Sequence, residues 1–180
     1  MADSNTTKWA LATVIKEELQ EQPLEKISIS VLCERCHMNR KSFYYHFRDK
    51  YDLANWIFDS EVLEQRAQLL QQLLEPRDQE DFWQSMEELC SYFYENRVFY
   101  RRVLETDGQN SLAEYLRALM YPIVSHLMPD LSADSTLLQF YVHFYSDAFL
   151  SSVRRWLNDE PKLDAQTFVS LLGKCIASPV

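Results

Sequence analysis

Apolar positions recur along this chain at three- and four-residue steps, the period of amphipathic helices. The first run, from about Thr6 to Glu21, brings Trp9, Leu11, Ala12, Ile15 and Leu19 to one side. Thr6 or Thr7 stands in capping position and Pro23 ends the run. A short helix after Ser28 turns Ile29, Leu32 and Cys33 inward and stops near Cys36–His37; another starts at Asn39 and buries Phe43 and Phe47, four residues apart. Asp49 then caps a predicted long fourth helix carrying Leu53, Trp56, Ile57, Val62, Leu63, Leu70 and Leu73. Past the break at Glu75–Asp78, helices are predicted near 79–95, 97–105, 110–128, 134–158 and 164–178. Asn96, Asp107-Gly108, Pro129-Asp130 and Pro161 separate them, and Pro122 falls inside one. The pattern amounts to eight or nine helices and an all-α fold.

Composition strengthens that picture. There are only two glycines, and most of the six prolines fall between periodic segments, which disfavours hairpins and Gly-rich phosphate loops. With 47% hydrophobic residues a sizeable core can form. No apolar run reaches the length of about 18 residues that a membrane span needs, and Met1 to Lys8 lacks the apolar stretch of a secretory signal. Four scattered cysteines (33, 36, 90 and 175) do not make a disulfide framework. A cytoplasmic, soluble protein without a membrane partner is expected.

The net charge of −9 argues against nucleic acid until its distribution is read. Residues 1–50 carry eight Lys/Arg against seven acids, whereas the remainder carries ten against twenty. Between Arg35 and Lys50 stand five basic residues and one acid. Because screening limits the reach of distant charge to about 8–10 Å, such a patch can serve phosphate on an acidic protein.

Two short helices joined by a tight turn and braced by a third form a helix-turn-helix, whose second helix presents its first turn to base edges. Here that turn reads Asn39-Arg40-Lys41-Ser42. Arg pairs with guanine, Asn with adenine, and Lys with guanine or phosphate. Tyr44, Tyr45 and His46 offer hydroxyls and a ring N–H to the sugar-phosphate backbone, and Ser28 and Lys50 stand where phosphate contact is expected. Residues 1–50 are thus read as a DNA-binding domain, followed by a helical domain over 51–180.

Leu24 to Leu53 resembles the DNA-binding domain of the TetR family of regulators. The resemblance rests on Ile27-Ser28-Ile29, on Met38-Asn39-Arg40-Lys41-Ser42-Phe43-Tyr44-Tyr45-His46-Phe47, and on Asp49-Lys50-x-x-Leu53. One position departs: the family usually has glycine at the turn, where this chain has His37, a residue that tolerates a left-handed backbone at some cost. The Asn-Arg-Lys-Ser-Phe-Tyr-Tyr-His-Phe run and Asn55-Trp56-Ile57-Phe58 are similar to the subgroup that includes activators of dihydroxyacetone kinase operons.

The resemblance implies base reading by Arg40, Lys41 and Ser42, with Asn39 beside them. It implies phosphate contact by Ser28, Tyr44, His46 and Lys50, and Tyr45 against backbone or a thymine methyl. It implies a homodimer on a pseudo-palindromic DNA operator, joined through the last two helices, with Leu138, Tyr141, Tyr145, Leu150 and Val153, then Phe168, Leu171, Leu172 and Ile176, as candidate interface. It also implies control by a small-molecule effector or, in that subgroup, a protein co-regulator. Candidate pocket residues are Trp56, Trp83, Met86, Tyr92, Phe93, Tyr100, Tyr115, Phe140, His143, Phe144 and Trp156; each of these, like the interface set, also reads as plain core.

Cys33-x-x-Cys36-His37 resembles half a zinc site, but no second pair of ligands follows, so buried thiols are expected and no metal or cofactor. No enzyme motif is present. The competing reading is a protein-interaction module with a vestigial DNA-binding head.

Overall fold

The structure is a computed structural model that describes residues 4–106, 108, 110–127, 135–159 and 163–177. Among these, ten α-helices occur and no strand. They are α1 (Ser4–Glu21), α2 (Ile29–Arg35), α3 (Arg40–His46), α4 (Lys50–Phe58), α5 (Ala67–Leu74), α6 (Gln79–Glu95), α7 (Arg97–Glu105), α8 (Leu112–Leu127), α9 (Ser135–Asn158) and α10 (Ala165–Ala177). A 3₁₀ turn, Leu24–Lys26, precedes α2. The predicted breaks at Asp107, Pro129-Asp130 and Pro161 lie outside the described residues.

One expectation is corrected. The long fourth helix is interrupted: α4 ends at Phe58, a π-helical turn occupies Asp59–Glu64, and α5 follows. The sequence there makes three demands in succession. Asp59 accepts a 2.6 Å hydrogen bond from Tyr115, Ser60 is buried, and Glu61 pairs with Lys16 at 2.6 Å. An i→i+5 turn holds more residues than an α-turn and so spreads neighbouring side chains less widely around the axis.

The chain forms two compact units, the first made of Met1–Glu61 and Val98–Tyr115, the second of Val62–Arg97 and Leu116–Val180. In the first, α1 packs against α2 and α4, and α2 against α3. Its core is built from Leu11, Ile15, Leu19, Leu32, Phe43, Leu53 and Ile57, all fully buried. Fully burying a side chain of this class contributes about 1.5–3 kcal/mol, and that holds the short α2 and α3, which would not persist alone. From α7, Phe99, Tyr100, Val103 and Leu104 complete the same unit. In the second unit α6 packs against α5 and α10. Trp156 of α9 stacks on Phe168 of α10 at 4.2 Å and 3°, and Gly173 lies over the Trp83 ring.

No helix among the described residues is long and apolar enough to cross a membrane.

Candidate nucleic-acid interface

The turn between α2 and α3 closes by a defined hydrogen-bond pattern. Met38 N–H donates to Cys33 O at 2.9 Å and His37 N–H to Glu34 O at 3.0 Å, the paired bonds of a Schellman motif. That motif needs a left-handed residue in the position His37 holds, and His37 has φ 53°. The family's glycine preference and this chain's departure from it meet at the same backbone angle. His37 is exposed, so no packing is lost on replacing it. The left-handed region costs a side-chain-bearing residue about 1–2 kcal/mol, while glycine adds about 0.4–1 kcal/mol of unfolded-chain freedom. His37→Gly is therefore expected to raise the thermal midpoint by about 1–2 °C, and His37→Val to lower it by about 4 °C. Calorimetry on the two variants checks the order; a lower midpoint for glycine than for valine contradicts it.

Both short helices are capped at their starts. Ser28 Oγ accepts from Val31 N–H at 3.2 Å, and Asn39 Oδ1 accepts from Ser42 N–H at 2.9 Å. Ser42 Oγ also donates to Asn39 Oδ1 at 3.3 Å. These caps limit what each group can offer DNA. Asn39 has both lone pairs of Oδ1 engaged and retains only its amide hydrogens, while Ser42 Oγ remains an acceptor.

Phe43 and Phe47 are buried beneath α3, and the opposite side faces outward. Arg40, Lys41, Tyr44 and Tyr45 are exposed, Tyr45 at 82%, with Ser42 and His46 half-buried. Burial, then the nearby Lys8 ammonium, pushes His46 below the usual histidine range, so at neutral pH it offers an uncharged ring N–H. Lys50 donates to Glu25 O at 2.7 Å and Ile27 O at 2.9 Å, leaving one ammonium hydrogen for another partner. Burial lowers its pKa, with Glu25 and Asp49 opposing the shift.

Pairings that sequence reasoning passed over brace this surface. The Lys8 ammonium lies 5.8 Å from the Phe47 ring centre and 5.4 Å from that of Trp56, and Trp9 meets Trp56 edge-on at 5.0 Å. Glu25 accepts a hydrogen bond from Thr106. No local spacing signals these pairings.

Burial raises the pKa of the Cys33 and Cys36 thiols, holding them protonated.

The pocket candidates are divided between the two units. Trp56, Tyr100 and Tyr115 belong to the first unit, where Trp56 packs on Phe47 and Tyr100 is fully buried. Met86, Tyr92 and Phe93 are buried in the second unit, and Phe140, His143 and Phe144 are exposed. Two open grooves mark the second unit. One of about 660 Å³ has Trp156, Phe168, Leu172 and Cys175 among its lining, and one of about 1050 Å³ has Glu80, Trp83, Glu87 and Lys174.

The interface candidates also divide. Leu138 packs with Val124 and Val142, with Tyr141 and Tyr145 against them; Leu150, Val153 and Phe168 are buried. Leu171 and Ile176 are exposed and Leu172 half-buried. On α9 the outward aromatics are Phe140 and Phe144, stacked at 6.4 Å and 13°.

Two family models match the chain. The one described as "Transcriptional regulator C-terminal region" covers residues 80–178, more than half of the chain, and the one described as "Bacterial regulatory proteins, tetR family" covers residues 13–56. The chain belongs to the TetR family. Those regulators supply the context of the exposed α3, since residues 13–56 hold both short helices and the turn. This TetR-family chain is 26% identical over 110 residues to the HTH-type dhaKLM operon transcriptional activator DhaS of Lactococcus lactis subsp. lactis. That match takes in 59% of this chain and about half (54%) of the relative's length. A solved structure of the dihydroxyacetone kinase operon activator DhaS, 17% identical, aligns over 94% of this chain and 93% of its own with a TM-score of 0.58, a likeness of fold.

Proposed function

We propose that this TetR-family regulator is a homodimer that reads a pseudo-palindromic DNA operator through the first turn of α3, under control of a small ligand or a protein co-regulator. The observation that carries the reading is the outward pair Arg40 and Lys41 on a helix whose start is capped and whose inner face is locked by Phe43. Helix ends of this kind enter the major groove, where a guanidinium pairs bidentately with guanine. Ser42 Oγ then accepts from a base amino group. Asn39 offers its amide hydrogens to an acceptor on a base edge. Tyr44, Tyr45, His46, Ser28 and the remaining hydrogen of Lys50 set register on phosphate.

The dimer reading is supported by the exposed apolar side chains of α9 and α10, since exposed patches of this kind mark interfaces. The open grooves of the second unit offer room for an effector.

Selection from a random duplex pool tests the function. The expected winners are inverted half-sites whose centres lie about 10 base pairs, or a multiple, apart. A pool with no enriched sequence counts against DNA reading and favours the interaction module.

A further inference from the structure

Thr106, Asn110 and Tyr115 are each tied by a side-chain hydrogen bond to the N-terminal half of their own unit. Thr106 Oγ1 donates to Glu25 Oε1, Asn55 Nδ2 donates to Asn110 O at 3.0 Å, and Tyr115 Oη donates to Asp59 Oδ1 at 2.6 Å. The last two fasten α4 and the π-turn that follows it. The first reaches a different place, the 3₁₀ turn that leads into α2.

That turn is held from two sides. Lys50, the first residue of α4, donates to the backbone oxygens of Glu25 and Ile27, while Thr106 holds the Glu25 carboxylate. The carboxyl lies below the usual range, chiefly because Thr106 donates to its charged form. Thr106 itself is buried, so its hydroxyl has a fixed position from which to act. α2 starts two residues after Ile27, and α3 packs on α2. The chain on both sides of α3 is thereby anchored: before it through Glu25 and Ile27, after it through Asn55 and Asp59.

We propose that Thr106 and Glu25 are positioning residues for DNA reading: the hydroxyl at the end of α7 fixes the turn from which α2 departs, and through α2 the attitude of α3. This rests on the function proposed above, and the two are tested separately below. A charge-assisted O–H···O⁻ bond is the stronger kind. Glu25 is exposed, so on losing it the carboxylate regains water and the fold persists.

The experiment uses the full chain with Thr106→Val, which keeps shape and removes the hydroxyl, and Thr106→Ser, which returns it. The first readout needs no DNA. The Lys26 and Ile27 amides close the turn onto Pro23 O and Leu24 O at 3.0 and 3.2 Å. Their hydrogen exchange is expected to quicken about fivefold in Thr106→Val, with α9 unchanged. The second readout is affinity for the selected duplex, expected to fall about fivefold and by less on an unrelated duplex, because base contacts depend on the attitude of α3 more strictly than phosphate contacts do. Thr106→Ser is expected to restore both. Unchanged exchange at those amides overturns the anchoring, whatever DNA does. Faster exchange with undiminished affinity overturns the positioning role. A wild-type chain that binds no DNA overturns the proposed function and, with it, that role, while the exchange result still judges the anchoring.

Discussion

A Phe140→Glu/Phe144→Glu variant is expected to sediment as a monomer where the wild-type chain sediments as a dimer, and to lose at least about a hundredfold in operator affinity. Phe140 and Phe144 are 66% and 59% exposed, far outside the range of core aromatics. Leu171 and Ile176 of α10 add two further outward apolar side chains, at 45% and 48%. A twofold interface contains each phenylalanine twice, and full burial of one contributes about 1.5–3 kcal/mol. About three fifths of each is still exposed, so burying four such side chains contributes about 4–8 kcal/mol, a large share of the about 8–12 kcal/mol that holds a micromolar to nanomolar dimer. Glutamate in their place removes that burial and brings four like charges together. Since neither phenylalanine is in the chain's own core, the helical circular-dichroism signal is expected to stay the same. A variant that remains dimeric places the interface elsewhere.

The second large effect is expected at the reading head. Arg40 and Lys41 are exposed and, among the described residues, neither is in an ion pair, so both charges are available to DNA. Each good base contact discriminates by about 1–3 kcal/mol. Removing both in each of two subunits is expected to cost about 4 kcal/mol of specific binding, roughly a thousandfold. The change also removes two cations per subunit near phosphate, so the dependence of affinity on salt becomes shallower. Stability is expected to stay within about 0.5 kcal/mol, since both side chains are exposed and the cap itself, Asn39, is kept.

α3 was legible because its signals are local. The caps Ser28 and Asn39, the buried pair Phe43 and Phe47, and the odd residue at the turn all lie within 20 positions, and His37 took the left-handed angle its position requires. The helix breaks at Pro23 and Asn96 were legible for the same reason. The interruption of the fourth helix was not, because its cause is distant: Asp59 meets Tyr115 and Glu61 meets Lys16. The outward side of α9 was obscured by its composition. Leu137, Leu138, Phe140, Tyr141, Val142, Phe144 and Tyr145 are all apolar or aromatic, so the periodicity carries no phase, and only packing separates inward Leu138 and Val142 from outward Phe140 and Phe144. The Glu25–Thr106 contact joins residues 81 positions apart and left no trace in the pattern.

The most direct test of the central claim is one ratio, the affinity for the selected duplex over that for its shuffled sequence, by fluorescence titration at about 0.15 M salt. For the wild-type chain the ratio is expected to exceed about a thousand, and for Arg40→Ala/Lys41→Ala to fall below about ten. Equal ratios for the two proteins would show that α3 does not read DNA.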